Sequence, residues 1–273
     1  MAKVYTPDGV FSLYGGDINI EFHEQYGRRK HVYLMNGEII PMSVTGITKN
    51  VDKPQLVQWA ANMACDFLVE KWNSESLSLA MIEEARYAHK RYTEAMAETG
   101  TQVHDWARRF IEHQVYGFER PELPEDGPVM NGVLGFLRWI KEHDVKFVSA
   151  ERCIYSKKYG YVGRMDAEAY VDGKLRVIDF KTSKAKKGKE GVNCDLCGTI
   201  GCGGVYEEHR FQTAGYQLAA EEEGTTYDGN RIIARFDKIT GEFQSHELPE
   251  FEEDAGAFIG QWNLKKRLIE LGA

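Results

Sequence analysis

Leu175-Arg176-Val177-Ile178-Asp179-Phe180-Lys181 alternates as a β-strand does, and the Asp172-Gly173 pair just before it is a hairpin-turn dipeptide. Side chains two apart in a strand share a face, so Asp179 and Lys181 should stand together while Ile178 and Phe180 point the other way. Val145 to Tyr155 and Val162 to Val171 are equally rich in β-formers, which predicts a three-strand meander. Upstream, Val133, Leu134, Leu137 and Ile140 recur at helical spacing after a loop holding Pro121, Pro124 and Pro128. Further back, Leu56, Trp59, Ala60, Met63, Phe67 and Leu68 predict one amphipathic helix, and Val103, Trp106, Ala107, Phe110 and Ile111, after Gly100-Thr101, predict another. A polar helical segment from Met81 to Ala97 lies between them. Val4 to Val44 reads as a β-hairpin region, with turns at Pro7-Asp8-Gly9 and Asn36-Gly37.

Downstream of the meander, a Gly-, Lys- and Cys-rich insertion spans Lys184 to Gly204. Glu207 to Glu223 then has helical composition, Arg231 to Phe236 reads as a strand, and Phe258, Ile259, Trp262, Leu264 and Leu268 mark a final helix. These elements predict an α/β chain of the α+β kind, with a mixed central sheet flanked by helices. The division expected is a β-rich N-terminal elaboration over 1–52 and a core over 53–273, whose first part is helical.

The chain has 273 residues and a formal charge of -8, so it is not coated in the Lys and Arg that attract phosphate non-specifically. Five of the nine residues from Lys181 to Lys189 are nevertheless lysine. No stretch approaches the ~20 apolar residues of a membrane span, and Met1 to Gly9 lacks signal-peptide order. Five cysteines, an odd number, suit a reducing compartment better than a disulfide framework. The expected location is the cytoplasm of a bacterial or phage-infected cell.

Hydrolysing a phosphodiester at neutral pH calls for hard divalent cations, and carboxylates on rigid strands hold such ions. Asp166 and Asp179 are candidate ligands, with the Phe180 carbonyl as a further one. Lys181 would orient the attacking water or neutralise charge on the phosphate. A surface ion pair between Asp179 and Lys181 is the simpler alternative, but Asp179 lies between Ile178 and Phe180 in a strongly apolar strand. Gln212 and Tyr216, four apart, share one helical face.

Three blocks in order, Gly163-Arg164-Met165-Asp166, Ile178-Asp179-Phe180-Lys181-Thr182-Ser183 and Gln212-Thr213-Ala214-Gly215-Tyr216, resemble the RecB-type, Cas4-like branch of the PD-(D/E)XK nuclease superfamily. That branch includes phage-type and mitochondrial genome-maintenance-type exonucleases. Gly100-Thr101-Gln102-Val103-His104 is similar to the block carrying that branch's metal-binding histidine, which makes His104 the matching ligand. Ser43-Val44-Thr45-Gly46-Ile47 resembles the leading segment of phage-type members, so the resemblance runs from about Ser43 to Tyr216. It implies a restriction-endonuclease-like core, Mg2+ or Mn2+ as cofactor, catalytic roles for Asp166, Asp179, Lys181, Gln212 and Tyr216, and DNA as substrate. Glu151 lies where relatives can carry a further acidic residue.

Cys194, Cys197 and Cys202 have the spacing of a thiolate knuckle. His209, Cys153 or Cys65 would supply a fourth ligand to a structural zinc, and His209 is nearest in sequence. The resemblance to Cas4-like proteins would imply an iron-sulfur cluster, but there one cysteine comes early and three follow the Gln-x-x-x-Tyr helix, whereas all three clustered cysteines here precede Gln212; a loop of reduced thiols is the other alternative. Lys184, Lys186, Lys187 and Lys189 are candidate DNA-backbone contacts, and Trp106, Tyr155, Tyr159 and Tyr161 are candidates for stacking on bases.

The expected function is a metal-dependent deoxyribonuclease, an exonuclease on single-stranded or frayed DNA ends in recombination, repair or phage DNA processing. The alternatives are a structure-specific endonuclease of the same fold and a catalytically silent DNA-binding or assembly subunit. A recombination or helicase partner is conceivable, a membrane is not expected, and the oligomeric state is open.

Overall fold

The computed structural model describes residues 6, 8–50, 54–72, 78–125, 127–183, 205–237 and 240–272. The α+β class holds: the described residues form two sheets, one mixed, with helices packed around them. The first sheet is antiparallel and runs β1 (Gly9–Leu13), β2 (Ile18–Tyr26), β3 (Arg29–Met35), β4 (Glu38–Ile39) in sequence order. The second runs β5 (Lys146–Ser156), β6 (Tyr161–Val171), β7 (Lys174–Ser183), β8 (Arg231–Asp237), β9 (Phe243–Leu248), also in sequence order. Its parallel strand pair is β7 with β8, and Ser43 adds an isolated parallel bridge to Val162 of β6. A parallel connection needs a crossover, and helix α6 (Glu207–Glu222) supplies it.

The expected meander is β5–β6–β7. Asn36 and Asp172, at φ 54° and 51°, turn the β3–β4 and β6–β7 hairpins in the left-handed conformation that Asn and Asp tolerate. Two helices cover one face of the second sheet: α4 (Ala88–Tyr116) and α5 (Gly127–Glu142). Val103, Ala107, Phe110, Val133 and Phe136 pack there on Ile178, Phe180, Ile232, Ala234 and Phe236. The other face meets α6, α7 (Phe251–Glu270) and the short α1 (Val44–Thr48), through Val44, Ile47, Val177, Tyr216 and Phe258. The N-terminal sheet lays Leu13, Ile20, Phe22 and Tyr33 against Cys153 and Val162 of β5 and β6.

Several expectations change. The polar segment over Met81–Ala97 is not one helix between two others: it divides into α3 (Leu79–Ala85) and the first part of α4, which continues without a break past Gly100. Gly100 is where α4 passes the end of β7, since a Cβ there would sit 2.6 Å from Thr182 Oγ1. The glycine marks a close approach and not a helix start. Leu134 and Leu264, expected on apolar faces, are exposed, and the buried stripe of α5 is Val129, Val133, Phe136 and Trp139. β9, four of whose six residues Phe-Gln-Ser-His-Glu-Leu are polar, has no counterpart among the expected strands. Among the described residues no helix is long and apolar enough to cross a membrane.

Candidate functional site

β6 and β7 pair from Val171↔Lys174 as far as Ala167↔Ile178 and then part. β7 continues beside β8 to Ser183↔Asp237, while β6 continues beside β5 to Tyr161↔Ser156. In the wedge between them the Phe180 amide donates to Asp166 Oδ2 at 2.7 Å. A backbone donor that lost its ladder partner is thus satisfied by a carboxylate. Asp179 opens into the same wedge from β7 and is fully buried. Its Oδ2 is ion-paired to Lys181 Nζ, and its Oδ1 accepts from Gln212 Nε2 at 3.2 Å. Gln212 Nε2 also donates to the Tyr216 hydroxyl at 2.8 Å, so these two residues do share one face of α6. From the opposite side α4 brings His104, whose Nε2 lies 3.4 Å from Asp166 Oδ2 and whose ring meets Phe180 edge-on.

Six side chains distant in sequence therefore converge at one split in the sheet. Gly163 makes part of this convergence possible: a Cβ there would lie 2.8 Å from the Tyr216 ring and 2.9 Å from Val44. The glycine of the Gly163–Asp166 block lets α6 and α1 close onto β6.

Charge in the wedge is strongly coupled. Burial would raise the Asp166 carboxyl, but the His104 hydrogen bond, the Lys181 ammonium and the Phe180 amide outweigh it and hold it below the usual range. Asp179 is pushed up to about 6 by burial and by the neighbouring Asp166, against the opposing pull of Lys181. Burial would lower Lys181, yet Asp179 and Asp166 keep its ammonium protonated beyond its ordinary range. For His104, too, burial is outweighed by the hydrogen bond and charge of Asp166, which raise it. Two carboxylates that repel each other in a buried site are a donor set suited to a hard cation. Asp166, Asp179 and His104 could hold one, in place of the charge Lys181 now supplies. Among the described residues, no group of three or more His, Cys, Asp or Glu side chains is already assembled around a single point for a metal.

Beside the wedge lies a cavity of about 240 Å³, lined by His31, Tyr33, Ser43, Thr45, His104, Glu151, Gly163, Arg164, Asp166, Gln212 and Tyr216. Glu151 is expected here only from the resemblance, and no sequence pattern points to Arg164, His31 or Tyr33 as part of the site. Glu151 is left-handed at φ 50° within β5, a conformation rare for a non-glycine residue in a strand. Before it Ala150 packs with the α4/α5 core, and after it Ile154 packs with the α6 core. Glu151 sits where the strand changes sides, and its carboxyl pairs with Arg164 Nε at 2.6 Å. Burial and Asp166 raise that carboxyl although Arg164 opposes them.

Other candidates fall elsewhere. Trp106 is core: it stacks on Phe110 and donates to the Glu122 carbonyl at 2.7 Å. Tyr161 is buried and donates to the Gly215 carbonyl. Neither is available to stack on a base, which corrects that expectation, and Tyr159 is packed against Trp262. His209 is buried and its Nδ1 accepts from the Tyr206 amide at the start of α6. Cys153 lies in the apolar cluster under the N-terminal sheet, its thiol pushed up to about 12 by burial, while Cys65 is exposed on helix α2 (Pro54–Trp72). Cys194, Cys197, Cys202, Lys184, Lys186, Lys187 and Lys189 lie outside the described residues.

No family model and no curated protein matches the chain. A solved structure described as "Crystal structure of SSO0001" aligns with it at 16% identity, covering 60% of this chain and 74% of that one, with a TM-score of 0.24. An overlap that low does not establish a common fold.

Proposed function

We propose that this protein is a divalent-metal-dependent deoxyribonuclease of the PD-(D/E)XK type, acting as an exonuclease on single-stranded or frayed DNA ends. The observation that carries the reading is the meeting of Asp179 and Lys181 from β7, Asp166 from β6, Gln212 from α6 and His104 from α4 where β6 and β7 part. Asp166, Asp179 and His104 would hold Mg2+ or Mn2+, which polarises a phosphoryl oxygen and acidifies a water. Lys181 would neutralise charge growing on the phosphate as water oxygen bonds to phosphorus and the bridging P–O bond breaks. Gln212, bonded to both Asp179 and Tyr216, keeps the Asp179 carboxylate oriented. Lys181 can act here despite the net negative chain, since the charge that matters is local.

A second reading, a catalytically silent DNA-binding or assembly subunit, is favoured by one observation: Lys181 closes on Asp179. The deciding experiment is cleavage of end-labelled single- and double-stranded linear DNA and of a closed circle, with Mg2+, Mn2+ or EDTA, beside Asp179→Ala. Metal-dependent loss of linear DNA alone, absent in the variant, is the expected result. Cutting of the circle would make the protein an endonuclease, and no cleavage with either metal would favour the silent subunit.

A further inference from the structure

Arg164 has a use that the ligand set does not absorb. Its Nε is fixed by Glu151 at 2.6 Å. Its guanidinium carbon stands 4.4 Å from the centre of the Phe22 ring, on the N-terminal sheet. These two contacts hold the plane of the group and occupy one nitrogen and one face. The two terminal nitrogens have no hydrogen-bond partner among the described residues, and Arg164 lines the cavity beside Asp166. A guanidinium offers five donors in a rigid fork that matches two oxygens of a phosphate. Here the fork is held from behind with its outer edge unused.

The remaining wall is built to match. The Tyr33 ring packs against Phe22 at 5.0 Å between centroids, and its side chain faces the same cavity. No hydrogen bond to the Tyr33 hydroxyl is formed within the described residues. Ser43 and Thr45 add two hydroxyls and His31 an imidazole. Asp166 and Glu151 bring the acids to this cavity, while the first 45 residues and Arg164 bring groups able to donate to a phosphate. At about 240 Å³ the cavity lies just below the usual size of sites for drug-sized ligands. A duplex is far too wide to enter it, whereas one phosphate with its sugar is not.

We infer that Arg164 is a phosphate-binding residue: its outer edge receives a backbone phosphate of a single DNA strand, and the N-terminal sheet forms the wall that admits one strand at a time. This rests on the nuclease reading for the identity of the strand, but its test does not require cleavage. The experiment is fluorescence anisotropy with a labelled single-stranded oligonucleotide in EDTA, from 50 to 300 mM KCl, on the full chain and on Arg164→Gln, Arg164→Lys and Glu151→Gln. Each phosphate contact contributes about 0.7 to the slope of log K against log salt for a single strand. The expected result is that Arg164→Gln weakens binding by roughly 5-fold or more and lowers the slope by about 0.7. Arg164→Lys should restore the slope with only part of the affinity, because an ammonium carries the charge without the fork. Glu151→Gln should keep the full slope, since it removes the support and not the charge.

An Arg164→Gln slope equal to that of the unchanged protein overturns the inference, however far affinity falls, because a merely structural arginine would change affinity without changing the number of ions released. If Arg164→Gln does not fold, Arg164→Lys decides: affinity equal to the unchanged protein refutes the fork, and reduced affinity at unchanged slope supports it. Absence of any binding by the unchanged protein also overturns it. A protein that never cuts DNA can pass this test, and one that cuts with Mg2+ can fail it, so the two readings stand or fall separately.

Discussion

On one face of β7 and β8 lie Ile178, Phe180, Ile232, Ala234 and Phe236, all buried in a single apolar cluster beneath α4 and α5. The opposite face of the same two strands carries Asp179, Lys181, Arg231 and Arg235, and of these only Lys181 is reached by solvent to any extent. The register puts Asp179 beside Ile233 and Lys181 beside Arg235. The first face is held by packing, in which each ring contributes through area and fit. On the second, each charge loses several kcal/mol of hydration and stays ionised only through its partner. Arg231, for instance, reaches Asp254, which Arg210 also binds at 2.9 Å. One sheet thus joins a surface made for stability to a surface that costs stability, and the comparison predicts opposite outcomes for substitutions a few ångströms apart.

The largest effect should come from the charged face, on activity. Asp179→Asn is expected to lower metal-dependent cleavage by at least about 10³-fold, measured under single-turnover conditions. Stability should not fall. Asp179 is raised to about 6 by burial and by Asp166, so its ionised form is disfavoured in the native state relative to the unfolded chain. That cost is complete above pH 6, shrinks as pH falls, and is gone below the unfolded value near 4. The variant should therefore melt at or above the temperature of the unchanged protein at pH 7, with the gap closing towards pH 4. A marked loss of stability at pH 7 would mean that Asp179 is a structural ion pair.

The apolar face should give the reverse. Phe136 touches Phe110, Phe180, Phe236 and Phe243 with ring centroids 5.6 to 6.2 Å apart. Phe136→Ala should cost about 3–5 kcal/mol in urea denaturation, while the fraction that remains folded keeps its metal-dependent cleavage per molecule. Loss of cleavage in fully folded Phe136→Ala protein would show that the two faces are coupled through Phe180.

The sequence made the charged face more legible than the sheet's surroundings. Asp179 and Lys181 could be assigned to one face because a strand's period is two, and Gln212 with Tyr216 because a helix brings residues four apart together. Both rules are local, and both assignments hold. What lay beyond them was long-range. Arg164 and Tyr33 meet only because the N-terminal sheet folds over β5 and β6, and no periodicity links residue 33 to residue 164. Glu151 has its place because the backbone turns left-handed there, which a single glutamate does not announce. β9 escaped because Gln244 and His246 face Arg235 and Ile233: a strand that lines a charged face alternates polar residues into the interior, and its hydrophobic pattern is lost.

His246 offers the finest comparison, since it stands in the same row as Asp179, across Ile233, with burial acting on it in the opposite sense. Burial, with the charge of Arg235 adding to it, lowers the imidazole from 6.5 to about 4. Between those values the unfolded chain binds a proton that the native protein does not, so stability is lost as pH falls from 6.5 to 4. For a group fully buried in this structure, the loss reaches at most about 3 kcal/mol. Asp179 works against it over nearly the same interval, so the pH profile of the unchanged protein mixes the two. His246→Gln separates them. In urea denaturation at pH 7 and pH 4.5, the stability of the unchanged protein relative to His246→Gln should drop as pH is lowered, because the contribution of Asp179 is common to both and cancels. A difference that does not change with pH would mean that His246 takes up its proton in place, and that this face accommodates a further cation.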